Sequence, residues 1–357
     1  MPLIIDGSRT PTCWQEKPKA LHSDDKRKDC VKIALINNMP DAALEDTESQ
    51  FFGLLDNASG EASVSVKLYS LPDLPRSERG QEHLNKFYFG IADLFNSRFD
   101  AVIMTGTEPR QSDLRKEPYW RILGEVLDWA EKNTVSTVLS CLAAHASVLH
   151  SDGIIRRPLG DKQFGVFEFK KGADHVLTSH TPEIVRFPHS RWNEVQEEAL
   201  SSCGYDVLTK SAEGGVDLFV KKKKKSLFVH FQGHPEYGVQ TLLKEYRRDI
   251  KRFLKGERET YPSMPRGYFD KVTAKVLTDF REKALAHRQE EIMASFPENV
   301  ILETLKNTWH ASATSVYRSW LEYVSARKAN RLSFAATAQS RHKTFPGYSL
   351  PKRAARP

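Results

Sequence analysis

The sequence predicts an α/β fold: a doubly wound, mostly parallel sheet followed by a C-terminal helical extension. Three observations carry this reading. Short apolar runs recur along the chain at residues 31–37 (VKIALIN), 63–71 (SVSVKLYSL), 99–106 (FDAVIMTG), 135–140 (VSTVLS) and 226–233 (SLFVHFQG). Several of these read as near-continuous hydrophobic strands, the mark of strands buried on both faces. Segments of helical spacing separate the early ones, and strand–helix alternation is the signature of a wound parallel sheet.

Residues 1–29 are polar, carry Pro2, Pro11 and Pro18 and end in SDDKRKD, so they read as a flexible N-terminal arm. After the first strand, the turn NNMPD leads into ALEDTESQFFGLL. There Asp46 and Glu48 lie near the front of a helix, and Phe51, Phe52, Leu54 and Leu55 form its packing face. The prolines of LPDLPRSERG end the second strand, HLNKFYFGIADLF reads as one amphipathic helix, and the third strand ends at the glycine turn of Gly106. YWRILGEVLDWAEKN is again helical.

Residues 153–205 loosen into short strands and loops, with GVFEFK and HVLTSH as strands before RFPHSRWNEV. Residues 206–220 read as a hairpin, DVLTK and VDLFV around AEGG, and the lysine run 221–225 as a solvated tip. A helix begins at TLLKEYRRDIKRFLKG. Beyond Gly256, TAKVLTDFREKALAHRQEEIMASF and NVILETLKNTWHASATSVYRSWLEYVSARKANR are helical, covering the core or mediating oligomer contacts. The expected organisation is an arm (1–29), an α/β domain (30–256), a helical extension (257–331) and a basic disordered tail (332–357).

Composition narrows the function. Fifty-three basic and 46 acidic residues in 357 leave a net charge of +7, concentrated in residues 221–225 and 327–356. Without zinc-finger spacing, an RNA-binding aromatic signature or a helix-turn-helix, this charge reads as solvated surface rather than a nucleic-acid interface. Cys13, Cys30, Cys141 and Cys203 are scattered without a CxxC pair, against a disulfide scaffold or structural zinc, and no metal is expected. No signal-peptide pattern and no apolar run of roughly 18 residues is present, so a cytoplasmic protein with no membrane partner is expected.

The chemistry centres on VSTVLSCLAAHASVLH. Cys141 lies where a β-branched run hands over to a helix of Ala143, Ala144, Ala146, Val148 and Leu149. A tight strand-to-helix turn would push its side chain out of the sheet, and the helix N-terminus would stabilise a thiolate. A buried structural thiol is the bland alternative. Gly106 and Cys141 both fall at strand carboxyl ends, where reactive groups of such sheets gather. His234 and Glu236, in FQGHPEYG, follow another strand. They supply a base and its orienter, although HPE alone is also an ordinary turn.

With INNMP, EDTESQFFGLL, EHLNKFYFGIADLFNSRFDAVIMTG, PYWRILGEVLDWA, STVLSCLAAHASVLHSDGI, KQFGVFEF, FPHSRWNEV and FQGHPEYGVQTLLKEYRRDI in collinear order, the chain resembles the homoserine O-acyltransferases of the homoserine O-succinyltransferase family. That family shares its fold with class I glutamine amidotransferases. The resemblance covers residues 31–255, with a weaker echo in SVYRSWLEYV. It implies ping-pong transfer of a succinyl group from succinyl-CoA, through a Cys141 thioester, to the hydroxyl of L-homoserine in methionine biosynthesis. His234 would be general base and Glu236 its orienter. The backbone at Leu142, Gly106 and Thr107 would form the oxyanion hole.

The resemblance also places Lys162 at the acyl group, and Ser190, Arg191 and Arg248 at the amino-acid substrate, where an arginine fork suits a carboxylate. For Arg248 an ordinary helix-surface salt bridge is the alternative. No bound cofactor is implied: acyl-CoA is the co-substrate, the partners are small molecules, and a homodimer is the family's assembly. The chain departs from the family at Leu142, Ala143 and His145 beside the nucleophile, at Asp41 and Ala42 after NNMP, and at Arg110 in TGTEPR. A cation at Arg110 suits a succinyl carboxylate and equally the CoA phosphates. The other readings are the same triad with acetyl-CoA or serine, a glutaminase, or a non-catalytic binding relative.

Overall fold

The structure is a computed structural model that describes residues 3–5 and 30–342, with backbone alone for 331–342. From the N-terminus come β1 (Ile4–Ile5), β2 (Val31–Ile36), α1 (Asp41–Ser59), β3 (Val64–Tyr69), α2 (Glu78–Phe87), α3 (Ile91–Asn96) and β4 (Ala101–Met104). Then follow α4 (Trp120–Asn133), β5 (Ser136–Ser140) and α5 (Leu142–Asp152). These strands lie side by side and parallel in the order β1-β3-β2-β4-β5. Both faces are covered, as the apolar runs require. In β2, Val31, Ile33 and Leu35 pack with Phe51 and Leu55 of α1, while Ala34 and Ile36 join Leu123 and Val126 of α4.

β1 departs from the expected loose arm: Ile4 and Ile5 extend the sheet beyond β3, and Leu3 and Ile5 are buried. Residues 6–29 of the arm lie outside the described residues. HLNKFYFGIADLF is likewise two helices rather than one. The Phe89 N–H is drawn onto Leu68 O at 2.9 Å, beside β3, so the backbone is extended between α2 and α3.

The loosened stretch after α5 is a second sheet. β6 (Arg157–Lys171) and β7 (Ile184–Glu194) form a long antiparallel pair that contains GVFEFK and most of FPHSRWNEV. HVLTSH between them is not a strand but a 3₁₀ turn at Val176–Thr178, capped where the Leu177 N–H donates to His175 Nδ1 at 3.2 Å. After α6 (Glu197–Ser202) the hairpin splits. β8 (Asp206–Val207) pairs with β11 (Leu218–Lys223) in the first sheet, while β9 (Thr209–Ser211) pairs with β10 (Gly215–Val216) in the second.

The lysine run is only in part a solvated tip. Lys221–Lys223 belong to β11, Lys221 Nζ lies 2.6 Å from Asp152, and Lys223 is buried beside the Tyr205 and Phe228 rings. β12 (Ser226–Phe231) returns antiparallel to β11 and parallel to β5.

Then come α7 (Thr241–Leu254), α8 (Lys271–Ala286), α9 (Glu298–Thr304) and α10 (His310–His342). The two long helices expected here are thus interrupted, with a 3₁₀ segment at Glu290–Ser295 and a break before α10. α10 covers the core. Val316, Tyr317, Trp320 and Val324 share a cluster with Phe51 and Val229, and Trp320 Nε1 donates to Ser136 Oγ at 2.9 Å. It runs ten residues past the expected start of the disordered tail; residues 343–357 lie outside the described residues. Among the described residues no helix is long and apolar enough to cross a membrane, and no group of His, Cys, Asp and Glu could hold a metal ion.

Candidate active site

Cys141 occupies the one-residue step between β5 and α5, with φ 52° and ψ −112°. A non-glycine residue held there stores about 1–3 kcal/mol of backbone strain. Its anchors are its own N–H on Phe231 O at 2.8 Å and its carbonyl, which accepts from the Ala144 and His145 N–H groups that open α5. The strain lifts the thiol out of the sheet and onto the helix N-terminus, where the first N–H groups have no intrahelical acceptor. Leu142 N–H is one of these.

Gly106 comes against this step from β4. A Cβ on it would sit 2.7 Å from Leu142 Cβ and 2.9 Å from Leu142 N, so only glycine lets the two loops close. Asn38 of NNMP fixes that loop from below. Its N–H donates to Thr105 Oγ1 at 2.8 Å, its amide to Thr105 O at 3.1 Å, and its Oδ1 accepts from Leu71 N–H at 3.0 Å. The expected oxyanion elements, Leu142 with Gly106 and Thr107, are therefore brought together, and all three line one small cleft.

The triad assembles across the β5–β12 pair. His234 is buried, its Nδ1 lies 2.9 Å from Glu236 Oε1, and its imidazole is electrostatically coupled to the Cys141 sulfur. Glu236 also accepts from Ser140 Oγ at 3.1 Å. Burial pushes the His234 imidazole down, but the Cys141 sulfur, then Glu236, outweigh it and hold the ring well above its ordinary value. The His234 N–H donates to Pro188 O at 2.8 Å, and the Tyr237 ring stacks on the imidazole with centroids 4.2 Å apart. Gly233 is needed here too: a Cβ would meet His189 Nε2 at 2.7 Å and Pro188 O at 2.8 Å.

A polar cluster lies one step away, around Glu245 of α7. Its carboxylate accepts from Tyr237 Oη at 2.8 Å and Ser190 Oγ at 2.5 Å, and Lys162 Nζ lies 3.4 Å from it and 3.2 Å from Asp249. Arg248 donates from Nε to Asp249 Oδ1 at 3.0 Å. Lys162, Ser190 and Arg248 thus meet in one place, and the last is also the helix-surface ion pair its alternative reading describes.

Arg191 is elsewhere. It is buried and gives Nε to His189 Nδ1, Nη1 to Asn193 O and Nη2 to Gly214 O, so its fork is spent on the protein. Burial pushes its guanidinium down, and the Cys141 sulfur is the first charge to restore it. Arg110 is exposed and its side chain reaches none of these groups; only its backbone N–H is held, by the buried Glu117 carboxylate at 2.6 Å.

Glu245, Tyr237 and Arg156 are candidate site residues that the sequence reading leaves out. Arg156 is half-buried, makes no ion pair among the described residues, and reaches only Ser112 O at 3.5 Å. Burial pushes it down, and Tyr119, Cys141 and Glu117 favour its charge. It stands in a loop with no local pattern to reveal it; the EYRRD and HPEYG motifs at least bracket Glu245 and Tyr237. His145, the unusual residue beside the nucleophile, is structural. Its Nε2 lies 2.9 Å from Gln232 Oε1, and burial pushes its pKa down to about 3, so the ring is neutral.

The sequence model of a family described as homoserine O-succinyltransferase matches residues 11–331. A homoserine O-succinyltransferase of Rhodopseudomonas palustris is 44% identical over 291 residues, covering 82% of this chain and 87% of that protein. Another, from Methylorubrum extorquens, is 43% identical over 84% of this chain and 88% of its own length. A third, from Bradyrhizobium japonicum, is 41% identical over 91% and 99%. Among solved structures, a glutamine amidotransferase from Methylobacillus flagellatus matches at 13% identity, over 83% of this chain and 95% of that one, with a TM-score of 0.45.

Proposed function

From the premise that the chain belongs to the homoserine O-succinyltransferase family, we propose that it performs its acyl transfer through a Cys141 thioester. The enzyme moves a succinyl group from succinyl-CoA to the hydroxyl of L-homoserine, a step of methionine biosynthesis. The observation that carries the mechanism is the buried His234, tied through Nδ1 to the Glu236 carboxylate and held well above its ordinary pKa against burial, first by the Cys141 sulfur and then by Glu236.

In the first half-reaction the Cys141 thiolate adds to the thioester carbonyl. The charge on oxygen faces the Leu142 N–H and the Gly106–Thr107 backbone. The C–S bond to CoA breaks, and the His234 imidazolium protonates the departing thiolate. In the second, neutral His234 takes the homoserine hydroxyl proton as that oxygen adds to the acyl-cysteine. Collapse frees O-succinylhomoserine and restores the thiolate. Glu236 keeps Nδ1–H in place and stabilises the imidazolium of each step.

Glu245 suits the homoserine ammonium and Arg248 its carboxylate, with Ser190 and Lys162 fixing the two acids that hold them. The buried Arg191 supplies positive charge behind the nucleophile. Mixing the protein with succinyl-CoA alone should release CoA in a burst and add the mass of one succinyl group to the peptide holding Cys141; homoserine should then discharge it. Absence of both burst and adduct overturns the thioester route.

Arg156 suits the distal succinyl carboxylate, because a half-buried guanidinium without a carboxylate partner is complete only when an anion arrives. Arg156→Gln should lower kcat/KM for succinyl-CoA by roughly 10- to 100-fold. Its turnover of acetyl-CoA, which lacks that carboxylate, should hold. An equal fall with both donors would remove Arg156 from acyl recognition.

A further inference from the structure

Helix α7 has two unlike faces. Leu242, Leu243, Tyr246, Ile250 and Phe253 pack into an apolar cluster with α8 and Trp309. The opposite face borders an open cleft of about 520 Å³, lined by Lys244, Arg247, Arg248, Lys251, Arg252 and Lys255. Glu257 and Glu298 are the carboxylates of that lining, and Asp46, Asp249 and Glu290 border it through ion pairs with three of its six cations. Four of the six have partners: Lys244 with Asp46 at 2.5 Å, Arg247 with Glu298 at 2.5 Å, Arg248 with Asp249 at 3.0 Å and Lys255 with Glu290 at 3.4 Å. Lys251 and Arg252, which also line the cleft, have no ion pair or side-chain hydrogen bond among the described residues. Cations spaced three and four residues apart on one helix repel each other, a cost that a polyanion lying across them turns into attraction.

The cleft is continuous with the site. Arg248 belongs both to the Glu245–Asp249 cluster and to the cleft wall. One turn earlier, Glu245 is tied to Tyr237, whose ring lies on His234. A coenzyme A thioester has its charges at one end and its reacting carbon at the other, joined by the uncharged pantetheine arm. Its phosphates therefore need a cationic surface set apart from the nucleophile but reached from it without a break.

We propose that the α7 cleft binds the 3′-phosphoadenosine diphosphate end of the acyl-CoA, with Lys251 and Arg252 as its unneutralised anchors. This rests on the reading that a CoA thioester is the donor. The test is the double variant Lys251→Glu/Arg252→Glu, with Lys251→Gln/Arg252→Gln as a milder pair. KM for succinyl-CoA should rise roughly 10- to 100-fold, with KM for homoserine unchanged. With succinyl-N-acetylcysteamine, a thioester lacking the nucleotide, the variants should match the native enzyme. An unchanged KM for succinyl-CoA, or an equal loss with the short thioester, overturns the proposal. Calorimetry with adenosine 3′,5′-bisphosphate decides the cleft separately from the chemistry. Binding by the native protein that is lost in the double variant supports the site; no native binding, or binding retained by the variant, overturns it. If the native enzyme transfers succinyl from neither thioester, the acyl-transfer reading fails while this measurement still stands.

Discussion

Cys141→Ala should abolish succinyl transfer, lowering kcat by roughly 10⁵-fold or more, as loss of a covalent nucleophile does elsewhere. The burst of CoA and the acyl adduct should vanish with it. Folding should persist, because alanine meets the same φ of 52° as cysteine and the N–H bond to Phe231 O is retained. The variant carries a second signature. The sulfur is the foremost of the groups that raise the His234 pKa, so without it the imidazole should titrate at lower pH, as an NMR titration of that ring would read. Full turnover by Cys141→Ala would remove the thioester from the mechanism.

Glu236→Gln is expected to lower kcat by roughly 10²- to 10⁴-fold through loss of the imidazole's orienter, and to move the pH profile. His234 is raised in the folded protein, so it stays protonated as pH climbs past the ordinary histidine value of about 6.5. Its share of stability is fully present below that value and is lost as pH rises through the raised one. The first half-reaction needs the imidazolium to protonate CoA, so kcat/KM for succinyl-CoA should fall along an alkaline limb set by His234. Replacing Glu236 removes one of the groups that raise it, and the limb should shift toward lower pH. A limb that stays in place would deny Glu236 its electrostatic part.

How much of this was legible in the sequence depended on burial. β2, β4, β5 and β12 are covered on both faces and read as near-continuous apolar runs, so the parallel sheet and the order of its helices were visible. β6 was not. Its first half, Arg157–Gln163, is largely solvent-facing and polar, and only the partner strand β7 makes it a strand. Cys141 and His234 stand at strand ends, where position along the chain implies position in space. Glu245 and Arg156 have no such marker. A glutamate on a helix looks like any surface acid until Tyr237, Ser190 and Lys162, from three other places in the chain, converge on it. The arginine fork of Arg191 misled for the opposite reason: its donors turn inward to Asn193 and Gly214 carbonyls.

α10 bears on how the protein is made. Its Tyr317 ring stacks on Phe231, Trp320 closes over Ser136, and Lys328 reaches both the Cys30 carbonyl and Asp100, at the beginnings of β2 and β4. The wall that seals this face of the sheet is thus encoded after every strand it covers. While a ribosome still holds that helix in its tunnel, the emerged chain presents Phe51, Val229 and Phe231 to water on an unfinished face. A chain truncated before Trp309 should therefore leave that face uncovered and aggregate rather than fold into a smaller enzyme, as solubility of the truncated protein would show.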